Sequence, residues 1–177
     1  MRRAGVSERP SRRQFCLELA RLAGATPAAL AVLGGRPAAA ADATDFAVLF
    51  AAINMESQAI DLYNRGLERG FFADRSAQQA ADFRGDHLGH RDTQIEIARE
   101  RGGPLPPEPA RYPYTPEDDP RAWIREARRM EQAAIDAYSG VLRRIGDRDQ
   151  RLVAAYILVD EVRHATAWSA ALGLRLY

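Results

Sequence analysis

No lysine occurs among the 177 residues, and all 25 basic side chains are arginine. That bias reads as genomic base composition and carries no functional information. Cysteine is almost as scarce. Cys16 is the sole thiol and lies in an N-terminal stretch that reads as removable, so the mature chain is expected to have neither a disulfide nor a thiolate ligand. Long apolar runs are missing too: a membrane span needs about 20 consecutive apolar residues, and no segment supplies them. Apolar alternation with the period of a strand is absent, which removes sheet architectures and leaves an all-α chain. A clustered basic face is absent as well. From Asp42 onward 18 Arg stand against 22 Asp and Glu, a net charge of −4, and such a surface has no electrostatic footprint for nucleic acid. With 46% hydrophobic and 28% charged residues, the chain has the composition of one soluble domain.

The N-terminus has the layout of an export signal. Seven Arg and only Glu8 and Glu18 fall in residues 1–41; a weakly apolar stretch from Phe15 to Leu33 follows the basic start, and the small-residue run Ala38-Ala39-Ala40-Ala41-Asp42-Ala43 closes it. Ser11-Arg12-Arg13-Gln14-Phe15-Cys16-Leu17 resembles the twin-arginine translocation motif, and the core after it is diluted by Glu18, Arg21 and several Gly. The other readings of this Arg-rich segment are a mitochondrial presequence and an ordinary amphipathic helix. The expected organisation is a signal peptide at 1–41, cleaved after Ala41 or Ala43, and a mature domain at 42–177 with no membrane partner, in the periplasm or otherwise outside the cytoplasm.

Four helical segments follow. The first is expected from about Thr44 to Arg69, with Phe46, Leu49, Ile53, Ile60, Tyr63 and Leu67 at helical spacings and Gly70 as its stop. Asp74 is the expected N-cap of the second, which ends near Arg101 before Gly102-Gly103. Pro104, Pro106, Pro107, Pro109, Pro113 and Pro116 make the next stretch a long connection. The third helix is expected to start near Thr115-Pro116-Glu117-Asp118 and run to about Ile145, and the fourth to run from about Asp147 to Leu172, with Gly146 between them. Short, long and short connections describe two helical hairpins joined by one crossover.

The hairpins are internal duplicates. Asn54-Met55-Glu56-Ser57-Gln58-Ala59-Ile60-Asp61-Leu62-Tyr63 matches Arg129-Met130-Glu131-Gln132-Ala133-Ala134-Ile135-Asp136-Ala137-Tyr138 at six of ten positions, at an offset of 75. Asp86-His87-Leu88-Gly89-His90 aligns with Asp160-Glu161-Val162-Arg163-His164 at an offset of 74. All three His of the chain lie in these two motifs. Residues three apart on a helix sit within about 60° of each other, so His87 with His90, and Glu161 with His164, can point into one cavity together with Glu56 and Glu131. Imidazole nitrogen and carboxylate oxygen suit Fe, Mn or Zn rather than Ca. Burying these carboxylates uncompensated would cost several kcal/mol each, roughly, unless a cation or protons neutralise them.

One Glu from each of two helices plus Glu-x-x-His from the others resembles the di-iron carboxylate site of ferritin-like four-helix bundles such as rubrerythrins and bacterioferritins, and Asp160-Glu161-Val162-Arg163-His164 is similar to that superfamily's Asp-Glu-x-Arg-His signature. The resemblance spans about 130 residues, essentially the mature chain. It implies Glu56 and Glu131 as terminal metal ligands, Glu161 as a bridge, His90 and His164 as capping ligands, and Asp86 and Asp160 as partners that hydrogen-bond a His of another helix. It further implies an iron or manganese redox centre, with Fe(II), dioxygen or peroxide as reaction partners. His87 departs from the pattern, standing where a second bridging Glu is expected. A mononuclear site, a different metal, and a dinuclear site bridged by Glu161 and solvent stay open, as does Asp86 ligating in place of His87. A non-catalytic metal-binding or stress-related bundle and a metal-free helical interaction module are the competing functions.

Tyr63 and Tyr138, seven residues after Glu56 and Glu131, lie within about 20° of the ligand face. The resemblance implies hydrogen bonding to the site or a part in electron transfer; an inward Tyr equally suits simple core. Asp61 and Asp136 are turned about 140° away, toward solvent or toward partners such as Arg65. Trp123 and Trp168 read as core, Arg125, Arg128 and Arg129 as a solvated face, and Gly85 and Gly89 as positions that let a neighbouring helix approach. A homodimer is compatible with the sequence, whereas nothing in it supports a storage cage.

Overall fold

The computed structural model describes residues 39–107, 112, 118–143, 145 and 148–174. The signal-peptide reading falls on residues 1–41, of which 1–38 lie outside the described residues. The described residues form four α-helices: α1 (Ala39–Glu68), α2 (Arg75–Glu100), α3 (Pro120–Leu142) and α4 (Arg148–Ala171). There is no strand among the described residues, and no helix there is long and apolar enough to cross a membrane. Each helix packs most extensively on its hairpin partner, α1 on α2 and α3 on α4, with lighter contacts joining α1 to α3 and α2 to α4. This is the all-α four-helix bundle expected from the spacing of apolar residues.

The helix boundaries differ from expectation in instructive ways. α1 starts at Ala39 rather than Thr44, because an alanine-rich run has the highest intrinsic helix propensity. It stops where expected: Gly70 takes φ +67°, and Phe71 N–H bonds back to the Gly66 carbonyl at 2.9 Å, the wrapped C-terminal turn that a left-handed glycine permits. Gly66 is needed for a second reason. A Cβ there would lie 2.3 Å from the ring of Phe72, which folds back onto the helix end and is buried.

Asp74 sits at the expected cap position of α2 but makes no side-chain cap hydrogen bond; with φ 49° it is a left-handed corner, and its carbonyl accepts from Ala77 N–H at 3.1 Å. α3 begins at Pro120, later than the expected Thr115-Pro116-Glu117-Asp118 start. Thr115, Pro116 and Glu117 lie outside the described residues, as do Gly146 and Asp147. The working cap is Asp119, whose carboxylate accepts from Ala122 N–H at 2.7 Å while Pro120 takes the first helical position, where a missing N–H costs nothing. Gly85 and Gly89 do not serve close packing: both are exposed, and nothing lies within 4 Å of a Cβ built on either.

The core has two ends. At one, Leu62, Tyr63, Phe72, Phe83, Trp123 and Trp168 form an aromatic cluster, joined by Tyr112 from the crossover connection. At the other, Ala52, Ala134, Tyr138, Ala154 and Ile157 pack with smaller side chains. Between them lies a polar layer.

Candidate metal centre

Among the described residues eight polar or charged side chains stand out as buried, including Glu56, His87, Glu131, Glu161 and His164. Each helix contributes to one layer: Glu56 from α1, His87 and His90 from α2, Glu131 from α3, Glu161 and His164 from α4. The helical phase of each motif turns these side chains inward, and hairpin packing brings the four inward faces together. They form two overlapping tetrads, Glu56–His87–His90–Glu161 and His87–Glu131–Glu161–His164, each with its donor atoms within 4.8 Å of one another. That is close to the separation of roughly 4 Å between opposite donors of an ion bound at about 2 Å. Glu161 and His87 are shared by both.

His87 occupies the position expected of a second bridging carboxylate, and its two ring nitrogens face different tetrads. Nδ1 is 2.7 Å from Glu56 and 3.7 Å from Glu161, while Nε2 is 3.3 Å from Glu131. His90 and His164 are arranged differently. Each presents Nδ1 to the layer, His90 at 3.4 Å from Glu161 and His164 at 3.6 Å from Glu131. Each turns Nε2 to an Asp of the other hairpin: His90 to Asp160 at 3.2 Å, His164 to Asp86 at 3.1 Å. An Nε2–H donated to a carboxylate leaves the Nδ1 lone pair facing inward, the tautomer a metal ligand needs. Arg163 spans the two Asp, at 2.6 Å from Asp86 and 3.1 Å from Asp160. Asp86 therefore lies outside both tetrads.

The tyrosines complete the layer. Tyr63 donates to Glu131, and Tyr138 donates to Glu56 at 2.5 Å. Behind them, Trp168 Nε1–H donates to the Tyr63 hydroxyl at 2.7 Å and the Gln94 amide to the Tyr138 hydroxyl at 2.6 Å. Burial, reinforced by Glu131 for Tyr63 and by Glu56 for Tyr138, holds both phenols well above their ordinary ionisation range. They orient carboxylates as neutral donors.

Sequence reasoning placed Trp168 in the core without its hydrogen bond and passed over Gln94. The repeat offset of 74 pairs these two positions and was the available signal. Of the surrounding residues, Asp61 pairs with Arg65 at 3.2 Å on the outer face. Arg128, expected on a solvated face, is part-buried and donates to Ser169 at 2.8 Å, tying α3 to α4.

The charges conflict as they stand. Burial opposes ionisation of Glu56, but hydrogen bonds and charge from His87 and His90 overcome it and hold the carboxyl at about 2. Burial likewise opposes ionisation of Glu131, which the His87 charge brings well below the usual range. Glu161 goes the other way: burial pushes it well above, His87 pulls it back, and Glu131 and Glu56 add to the rise. Burial disfavours charge on His87 too, yet Glu161 and Glu131 raise it well above the ordinary imidazole value.

Whether these residues fit a metal can be judged from their unused donors. His90 Nδ1, Glu131 Oε2, both Glu161 carboxylate oxygens and His164 Nδ1 are buried without hydrogen-bond partners. Leaving such atoms unpaired costs about 1–3 kcal/mol each. Arg84 Nε and Gln94 Oε1 are also unpaired, but the five named atoms all belong to tetrad residues, and a divalent cation held between them would satisfy them while compensating the carboxylates. The donor set fits transition-metal ions with mixed nitrogen and oxygen preference.

Comparison with known proteins agrees with this geometry. Residues 44–174 match the family model described as a ferritin-like domain. Among solved structures, a conserved hypothetical protein from Mycobacterium tuberculosis aligns with a TM-score of 0.67 at 25% identity, covering 78% of this chain and 96% of that one. No curated protein matches the sequence. The four-helix bundle, its buried Glu and His layer and the family match across the whole helical region lead to one assignment: this chain belongs to the ferritin-like domain family.

Proposed function

We propose that this protein is an exported ferritin-like metalloprotein whose two tetrads hold a pair of iron or manganese ions, and that it acts on Fe(II), dioxygen or peroxide. The observation that carries the reading is the pair of overlapping tetrads whose unpaired donor atoms all face one layer. When bound, such ions would supply one-electron redox chemistry. The chain's residues do the rest: Asp86 and Asp160 fix the His tautomers, Tyr63 and Tyr138 hold Glu131 and Glu56 in place, and two apolar core clusters keep bulk water away. Export of a folded protein by the twin-arginine route, as the N-terminal motif suggests, is consistent with metal loading before translocation.

Elemental analysis of the protein purified from an export-competent host tests this directly, with a Glu56→Ala/Glu161→Ala double variant alongside. About two Fe or Mn per chain, absent from the variant, is the expected result, and Fe(II)-dependent oxygen or peroxide consumption should follow. A second reading, stoichiometric metal without turnover, is favoured by His87, which removes one carboxylate from the centre. Metal-replete protein that consumes neither oxidant would establish it. A folded protein that takes up no Fe, Mn or Zn would sink both.

A further inference from the structure

A cavity of about 40 Å³ opens beside the centre between α1 and α3. It borders Glu56, Glu131 and the shared His87, and it does not touch His90, Glu161 or His164. It therefore lies on the face of the centre away from the Asp-locked imidazoles and meets one carboxylate of each tetrad. Its walls come from equivalent positions of the repeat: Met55 and Met130 directly before the two Glu, Ala59 and Ala134 three residues after them. Arg129, an exposed residue, carries the lining out to the surface.

Size and chemistry restrict what fits. A single water needs roughly 10–15 Å³ of such space, so the cavity admits a molecule of two or three heavy atoms, whereas organic ligands occupy pockets of roughly 300 Å³ or more. Thioethers and methyl groups of Met55, Met130, Ala59, Ala133 and Ala134 form the apolar part of the lining, and the Arg129 guanidinium at the rim is paired with the Glu126 carboxylate. A hydrated Fe(II) ion is too large to enter with its water shell, which it would have to shed before the Glu56 and Glu131 carboxylates could replace it. Dioxygen loses little on entry, and hydrogen peroxide can exchange its water hydrogen bonds for ones to Gln58 and the two carboxylates of the lining.

We infer that this cavity is the access route and resting site for a two-oxygen oxidant, and that Ala59 and Ala134 set its width. The inference rests on the metal-centre reading above and commits it to an oxidant, with Fe(II), if used, arriving elsewhere. The small side chains have a reason on this view. Ala59 and Ala134 lie one helical turn beyond a ligand on the same face, where any larger residue would fill the space in front of both tetrads. Both halves of the repeat hold Ala there, while the neighbouring pair differs, Gln58 against Ala133.

Azide, a three-atom anion, is a suitable probe. Full-length protein is loaded with iron, oxidised, and titrated with azide while its charge-transfer absorption is followed; iron content is measured on the same samples. Ala134→Val and Ala59→Val, made separately, are expected to keep their iron and to bind azide about tenfold more weakly or worse. Met130→Ala widens the cavity and is expected to admit imidazole, which the native protein should exclude. Iron-replete Val variants that bind azide with native affinity would overturn the inference and leave the metal centre standing. A native protein that takes up no Fe, Mn or Zn would instead defeat the metal reading, and this inference with it. If one Val substitution disturbs folding, the other and Met130→Ala still decide the question.

Discussion

The two hairpins of the bundle are built to one plan and differ at a few positions. In both, a Glu on the first helix accepts from the Tyr of the opposite hairpin, and a His on the second helix is held by an Asp of the opposite hairpin. The pairs that differ include three around the centre: His87 against Glu161, Gln94 against Trp168, and Phe83 against Ile157. His164 is fully buried, with Phe83 stacked 4.0 Å from its ring, whereas His90 retains 12% exposure. The duplicated part thus fixes the ligand frame, and the unmatched part sets its surroundings. The half around Glu131 and His164 is dry and aromatic; the half around Glu56 and His90 is closer to water.

Removing the carboxylate common to both tetrads should break the comparison altogether. Glu161→Ala is expected to lose both metal ions, while Glu56→Ala and Glu131→Ala each lose one, which elemental analysis of the three variants would separate. If Glu161→Ala keeps one ion, Glu161 is not shared. The next largest effect is expected behind the tyrosines. Trp168→Ala should lower unfolding free energy by about 3–5 kcal/mol, since a fully buried Trp and its hydrogen bond are lost, and Gln94→Ala by about 1–3 kcal/mol. Equal denaturation midpoints for the two variants would show that the halves are energetically alike.

A finer test compares the two Asp. Asp160→Asn and Asp86→Asn should each weaken metal affinity by about 10–100-fold, by releasing the tautomer of His90 or His164. The effect should be larger for Asp86→Asn, because His164 is fully buried, whereas water can take the place of Asp160 at the partly exposed His90, and competition with a chelator would read it. A difference of the opposite sign would mean that access to water frees the His90 tautomer instead of holding it.

The smallest effects concern pH. Glu56 is held at about 2, below its unfolded value of 4.5, so it stabilises the fold above that value and the contribution is lost as pH falls from 4.5 toward 2. His87 is raised, with the opposite sign: its contribution is present below 6.5 and fades as pH rises through the elevated value. EDTA-treated protein should therefore lose melting temperature on the alkaline side. Added Mn(II) should reverse that loss, because ligation needs the neutral imidazole. A chelated protein whose melting temperature is flat across neutral and alkaline pH would remove His87 from this account.

Much of the centre could be read from residue spacing. Glu56, His87, His90, Glu131, Glu161 and His164 all lie in the layer that the repeat predicted, and Asp86 and Asp160 meet His164 and His90 as the family resemblance implied. Other features escaped. The sequence places the start of α3 earlier because several prolines and acids offer the same local signal, whereas the cap is Asp119, whose extended backbone lets its carboxylate reach Ala122 N–H. Gly85 and Gly89 looked like contact points because a helix seldom tolerates them without reason, yet they face outward.

The division follows from how far each kind of information reaches. Helical phase is local: about 100° per residue fixes which side chains of one helix share a face, so the sequence alone determined the four helices, the duplicated motifs and the inward set of Glu and His. Distances between helices depend on how neighbouring faces interlock. Only the tertiary structure decided that His87 turns one nitrogen to each tetrad, that Trp168 and Gln94 reach the two tyrosines, and that a gap remains between α1 and α3 beside Glu56 and Glu131. Those outcomes are set by the volumes of side chains that meet from different helices, which no single stretch of sequence contains.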